Sequence, residues 1–219
     1  AVQKVAKQYQ ASITEYLNAV LLYSLLQKQE HDFHLRLRPV RIAMPVNLRR
    51  FFPSKTLRNF ITMVYPSIDP RLGDYTFEEI VTQVHHYMRY YINSKFLRGD
   101  ITTNASTQRN PLIRIVPLFL KDFVVRQFYQ RVQDKNSSAG LTNMGAIRVP
   151  DDMKPYLERF DIYMGIPYSQ RTNCAIVSFE DTLTVNFASC IIEADVERRF
   201  FQKLVEDGIP VTIESNREL

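Results

Sequence analysis

Apolar residues recur along this chain at two spacings, helical in some stretches and alternating in others, and the switches between them mark its elements. Residues 3–29 read as helix. Ser12 followed by Glu15 has capping-box spacing, which places the start of the helix proper there, and Ile13, Leu17, Val20, Leu21, Ser24 and Leu25 then share one face. Residues 34–48 alternate: Leu35 and Leu37 with Arg36 and Arg38, then Val40, Ile42, Met44 and Val46 beyond Pro39. Pro45 lies inside this run and has no N–H for a ladder, so it predicts an edge, a bulge or the strand's end. Residues 58–68 read as a second strand.

Residues 76–97 carry the clearest helical pattern, with Thr76 and Glu79 as a second capping box, Phe77, Ile80, Val81, Val84, Met88, Tyr91 and Ile92 on the buried face, and Gly99 as the stop. Residues 100–110 read as a polar loop. Pro111 opens a further helix to about residue 134, with Pro117 as its kink or its true start. Residues 139–149 read as a strand, 150–160 as a short helix with acids at its N-terminal end, and 161–166 and 173–191 as β-rich, with Glu180 and Asp181 turning a hairpin. Asp195 caps a last helix with Val196, Phe200, Leu204 and Val205 inward and Gly208 as its stop, and Val211–Glu214 reads as a final strand. This order lacks strict βαβ alternation. It predicts an α/β fold of the α+β type, a mixed β-sheet layered with helices, and with no Pro/Gly/Ser-rich linker it predicts a single domain over residues 1–219.

Composition changes this picture little. The chain is 45% hydrophobic and 23% charged, ordinary globular values. A net charge of +5 is compatible with nucleic acid, an anionic membrane surface or an anionic ligand such as coenzyme A. The densest basic group, Arg36, Arg38 and Arg41 with Arg49 and Arg50 beyond, forms no block of like charge and accompanies no recognition motif, so no nucleic-acid partner is expected. No stretch of about 18 apolar residues occurs, so no membrane partner is expected either. Cys174 and Cys190 lie in apolar strand-like segments, which predicts buried reduced thiols and a cytoplasmic protein. The N-terminal residues Ala1-Val2-Gln3-Lys4 do not resemble a signal peptide and lead straight into helical sequence, as in a chain cut from a longer one.

Two segments carry a resemblance. Met44-Pro45-Val46-Asn47-Leu48-Arg49, followed by Thr56-Leu57-Arg58-Asn59-Phe60, resembles a block of alcohol acetyltransferases and peptide-synthetase condensation domains, in which a proline–hydrophobic–Asn–Leu–Arg run precedes a Leu-Gly-Asn-Phe turn; Arg58 stands at the glycine. Ser138-Ala139-Gly140-Leu141-Thr142-Asn143-Met144-Gly145 resembles the Ser-Asn-Leu-Gly strand of the same group, with Thr142 for serine. The helix around Ile13–Ala19 resembles the one that opens the second lobe, and the final hairpin, Asp-capped helix and short strand follow in the same order. The resemblance spans nearly the whole chain. It implies the C-terminal lobe of a chloramphenicol-acetyltransferase-like fold, in which two similar lobes enclose a tunnel and the catalytic histidine sits in a His-His-x-x-x-Asp motif on the first lobe.

The histidines are weighed against that motif. His85-His86 is followed by Arg89 and Tyr90 where the motif needs Asp at 90, and the pair sits in mid-helix, so no catalytic residue is assigned to this chain. The spacing of His31 and His34 could bind a metal, but no carboxylate or cysteine cluster supports it, so no metal is assigned. Thr142 and Asn143 are the candidates for substrate contact, since hydroxyl and amide donors can stabilise an acyl oxyanion; the plainer reading is that Asn143 and Gly145 make a bulge or a strand end. Ser138 joins them through the resemblance. Arg49 suits either a coenzyme A phosphate or a structural ion pair at the lobe junction.

The resemblance thus implies the C-terminal lobe of an acetyl-CoA-dependent O-acyltransferase. It implies no cofactor held by this chain, a coenzyme A thioester as substrate of the parent enzyme, and as partners an N-terminal lobe of the same protein and a small-molecule acyl acceptor. The alternative is a non-catalytic condensation-like module that docks a carrier protein or self-associates. An isolated half would expose the apolar face that meets its partner lobe, which leaves a homodimer open.

Overall fold

In a computed structural model, residues 1–32, 36–109, 117, 118, 120, 122, 137–166 and 170–216 are described. The elements are α1 (Val2–Gln8), α2 (Ile13–His31), β1 (Val40–Asn47), β2 (Ile61–Val64), β3 (Ser67–Ile68), α3 (Phe77–Tyr91), α4 (Ser94–Arg109), β4 (Ala139–Ala146), β5 (Thr172–Phe179), β6 (Thr182–Ser189) and α5 (Asp195–Glu206). The chain divides into two compact units. The first comprises Ala1–Val40, Ile68–His85 and Ile192–Leu219, the second Arg41–Ser67 and His86–Ile191.

The first unit is helical. Ser12 caps α2 as its spacing predicts: its Oγ accepts from the Glu15 N–H at 3.3 Å, and the Glu15 carboxylate accepts from the Ser12 N–H at 2.7 Å. The expectation of one buried face on α2 is corrected. Tyr16, Leu17, Ala19, Val20, Leu21 and Leu22 are all fully buried, so the helix is enclosed on every side. Two of its buried polar residues are accommodated by hydrogen bonds: Glu15 serves the cap and the Ser24 hydroxyl donates to the Val20 carbonyl at 2.8 Å. Packed on α2, α5 buries Val196, Phe200 and Leu204, whereas Val205 is 57% exposed and not inward. Its end is a Schellman motif: Gly208 N–H donates to Val205 O and Ile209 N–H to Leu204 O, with Gly208 at φ 77°. Asp195 lies in the first turn, ion-paired to Arg198, and its side chain is no cap.

A polar cluster lies between these helices. The Tyr16 hydroxyl donates to Asp207 Oδ2 at 2.6 Å, Lys203 Nζ donates to Asp207 Oδ1 at 2.7 Å, and the Tyr9 hydroxyl reaches the same carboxylate at 3.4 Å. Lys203 also sits 4.3 Å over the Phe77 ring, which meets Tyr9, Tyr16 and Tyr23 edge-on. Burial and the hydrogen bond to Asp207 push the Tyr16 phenol far above its ordinary value. Burial raises Tyr9, and in Lys203 burial acts downward but Asp207 prevails, for a net rise. A pKa raised on folding contributes stability that is whole below the unfolded pKa and is lost as pH climbs through the folded one. The unfolded chain releases these protons first, so stability is expected to fall above about pH 10, with urea midpoints on either side of that pH as the check. A midpoint constant through that range would contradict the assignment.

The second unit is built on a mixed sheet in the order β2-β1-β4-β5-β6, with β3 also against β1. β1–β2 and β5–β6 are antiparallel, and β1–β4 and β4–β5 parallel. An α/β fold with a mixed sheet and layered helices is thus as the pattern predicts. The hairpin turns on Glu180, at φ 48°, and Asp181.

Several boundaries are corrected. The run at 34–48 forms a strand only from Val40, since residues 36–39 are irregular, and 33–35 lie outside the described residues. The expected strand at 58–68 is β2 and β3, broken at Tyr65-Pro66. Gly99 does not end a helix. The helix stops at Tyr91, and Asn93, whose Oδ1 accepts from the Lys95 and Phe96 N–H groups at 3.0 Å, starts α4 through the expected polar loop. The helix expected from Pro111 to 134 lies almost entirely outside the described residues. β4 ends at Ala146, residues 150–160 hold only a 3-10 turn at Lys154–Tyr156, and neither 161–166 nor Val211–Glu214 is a strand. Cys174 is buried, and burial pushes its thiol up, but Cys190 is exposed just past β6. No helix among the described residues is long and apolar enough to cross a membrane.

Candidate functional site

Four candidate residues, Arg49, Ser138, Thr142 and Asn143, belong to the second unit. Ser138 fastens β4 to β1: its N–H donates to the Arg41 carbonyl at 2.7 Å, and its Oγ accepts from the Arg41 N–H at 3.3 Å. From there the two strands pair only at Ile42 with Ala139 and Ala43 with Gly140, and then part. β1 continues against β2 alone. That is why Pro45 is tolerated in an interior strand, because on the β4 side the ladder has already ended at Ala43.

Thr142 follows two residues after the split. Alternation puts it on the same face of β4 as Gly140, and through the strand register on the same face as Ala43, Pro45, Met63 and Ile61. Over β5 that face is covered: Phe160 packs edge-on against Phe179, and the Asn173 amide donates to Gly165 O at 3.0 Å. Over β2 it is open, with Met63 38% and Ile61 48% exposed. Thr142 is half-buried between the two regions, and its hydroxyl has no hydrogen-bond partner among the described residues. Asn143 Oδ1 accepts from the Gly145 N–H at 2.8 Å, Gly145 lies at φ 77°, and the β4–β5 register shifts between Asn143 and Ala146. The bulge read from the sequence is therefore present, inside β4 just beyond Thr142, and pairing with β5 resumes at Ala146.

Arg49 is exposed and its guanidinium is engaged in the turn after β1, donating to the carbonyls of Thr56 at 2.9 Å and Arg58 at 2.7 Å. Arg58, at the position of the usual glycine, closes the same turn by donating its N–H to Thr56 Oγ1 at 3.2 Å. The structure thus places Thr142 and Asn143 on β4, Ser138 immediately before it, and Arg49 on the turn that follows β1.

The histidines lie apart from these residues in role. His85 Nδ1 is 3.3 Å from Glu15 Oε2, the carboxylate oxygen already engaged in the α2 cap. His86 is exposed. His31 Nδ1 lies 3.0 Å from the Gln27 carbonyl at the end of α2, and His34 is outside the described residues. No group of three or more metal-binding side chains occurs among the described residues. Sequence reasoning missed the buried polar cluster beneath the site, in which Asn173 Oδ1 accepts from the Gly140 N–H at 2.8 Å and Gln170 donates to Ser137 Oγ at 2.7 Å. Gly140 in the family-like strand was the one available signal.

No protein-family model matches the chain, and no curated protein does. Solved structures do. The TRI3 trichothecene 15-O-acetyltransferase from Fusarium sporotrichioides superposes with TM-score 0.54 at 13% identity over 94% of this chain and 43% of its own. Polyketide synthase associated protein 5 from Mycobacterium tuberculosis gives 0.53 at 13% identity over 93% of this chain and 48% of its own. The wax ester synthase/diacylglycerol acyltransferase from Marinobacter aquaeolei VT8 gives 0.51 at 11% identity over 95% of this chain and 46% of its own. The chain spans less than half the length of each. At these identities the likeness establishes the fold, that of one lobe of the chloramphenicol-acetyltransferase-like condensation fold.

Proposed function

We propose that this chain is the C-terminal lobe of an O-acyltransferase and supplies one wall of its site, while the general base comes from an N-terminal lobe that is its partner. In this reading the base takes the proton of an alcohol, and the alcohol oxygen attacks the carbonyl of a coenzyme A thioester, acetyl-CoA being the expected donor. The new C–O bond forms, the C–S bond breaks, and the thiol leaves with the proton the base collected. The Thr142 hydroxyl donates to the oxyanion of the tetrahedral intermediate. Asn143 and Gly145 hold the strand end that presents Thr142, Ser138 anchors the strand start, and Arg49 steadies the turn beside β1. A cytoplasmic location accords with this reading.

One observation carries it. Thr142 stands on the half-open sheet face where β4 leaves β1, with its hydroxyl not engaged by any described residue. A donor held on a strand and left without an internal partner is what an oxyanion contact requires. In the parent enzyme, Thr142→Val is expected to lower kcat about a hundredfold with little change in KM, and an unaltered kcat would remove Thr142 from the site. The 219-residue chain by itself is expected to transfer no acetyl group from acetyl-CoA to an alcohol, and turnover by it would overturn the missing-base account.

A further inference from the structure

The sheet of the second unit ends on β6, and among the described residues no strand pairs with its outer edge. The phase of its backbone can be read from two bonds. Cys190 N–H donates to Arg171 O at 3.0 Å, one step beyond the Thr172–Ser189 pair. Ser178, the partner of Leu183, accepts from the Ile147 N–H at 2.8 Å on its opposite side. In an antiparallel ladder both backbone groups of a residue turn the same way, and successive residues alternate. The even-numbered residues of β6 therefore bond to β5, and Leu183 and Val185 direct their N–H and C=O groups outward.

Natural edge strands of this length are usually blunted by lysine, proline, an inward charge or a bulge. β6, Thr-Leu-Thr-Val-Asn-Phe-Ala-Ser, has no proline and no ionisable side chain, and its register against β5 runs unshifted over all eight pairs. Every residue from Leu183 to Ser189 is half-buried, while β5 beside it is buried but for Ser178.

We propose that β6 is a strand-addition surface and that its partner is β6 of a second copy of this chain, paired antiparallel about a dyad near Val185. Charge selects this occupant. The strand offers no charge to recruit an acidic or basic peptide, whereas two copies of it bring no like charges together. A dyad perpendicular to the sheet keeps each face on its own side, so facing residues share parity. Val185 then faces its own copy, and Thr184 faces Asn186, polar against polar. The exposed acids Glu180 and Asp181 at the hairpin tip are carried to the far end of the partner strand, beside Cys190 and the exposed Arg171 next to it, and away from their own copies.

Sedimentation velocity over a concentration series tests this. The chain is expected to pass from monomer to a species of twice that mass, and Val185→Pro is expected to stay monomeric with an unchanged far-UV spectrum. Proline is accepted there because the N–H it removes points away from β5. A chain that stays monomeric at the highest concentration, or a proline variant that dimerises as the parent does, overturns the proposal. Hydrogen exchange on the unsubstituted chain gives a reading that needs no variant. The Leu183 and Val185 amides should gain protection as concentration rises, and exchange independent of concentration overturns it equally.

Discussion

Asp207→Ala is expected to lower the unfolding free energy by about 3–5 kcal/mol, a large share of the stability of a domain of this size. The carboxylate is the common acceptor of three side chains: Tyr16 at 2.6 Å, Lys203 at 2.7 Å and Tyr9 at 3.4 Å. Tyr16 is fully buried, and the Lys203 and Asp207 side chains are only 13% and 10% exposed, so water replaces the lost oxygen poorly. The alanine variant leaves an ammonium and a phenol without their acceptor in a nearly dry site, and the cost of an uncompensated buried charge exceeds the worth of the pair itself. Tyr16→Phe removes one hydroxyl and leaves the ion pair, so about 1–2 kcal/mol is expected for it. Urea denaturation resolves the two, with the midpoint moving and the m-value constant. Equal losses in both variants would mean that the ion pair contributes nothing beyond the Tyr16 bond.

That cluster also shows what a pattern of residues can and cannot convey. Local chemistry was legible. The capping boxes at Ser12/Glu15 and Thr76/Glu79, the αL glycine at Gly208 and the turn at Glu180-Asp181 all depend on neighbours within a few positions, and all four are present. Where two local signals compete, the stronger one decides the structure. Gly99 looked like a stop, but one glycine costs a helix only about 1 kcal/mol, and the cap at Asn93 outweighs it. Pairing at long range was not legible. Tyr16 and Asp207 are 191 positions apart, so neither residue announces the other. The enclosure of α2 was hidden for the same reason: Glu15 and Ser24 look like a solvated side until their hydrogen bonds are seen. Of the site, the strand carrying Thr142 and Asn143 was visible as a motif and the bulge at Gly145 as its plainer reading. The parting of β1 from β4, which gives Thr142 its setting, depends on a register between distant segments that no spacing encodes.

Gly140→Ala is expected to cost about 3 kcal/mol, although it adds a single methyl group. An added Cβ would stand 2.7 Å from Asn173 Oδ1 and 3.1 Å from Gln170 Oε1. Side-chain ends can often swing away, but these are held. Asn173 is 1% exposed, its Oδ1 accepts from the Gly140 N–H at 2.8 Å, and its Nδ2 donates to Gly165 O at 3.0 Å. Gln170 is fixed by its bond to Ser137 Oγ at 2.7 Å. Moving Asn173 aside would strand the Gly140 N–H inside the sheet and free the covering segment at Gly165, so the methyl group trades against one buried and one partly buried hydrogen bond. A double-mutant cycle separates this from a general intolerance of β4. Asn173→Ala alone should be destabilising, but adding it to Gly140→Ala should cost much less than its own effect, with a coupling above about 1 kcal/mol. Additive losses would show that the methyl is accommodated without moving Asn173, and the contact between β4 and β5 would then not be what sets the residue at 140.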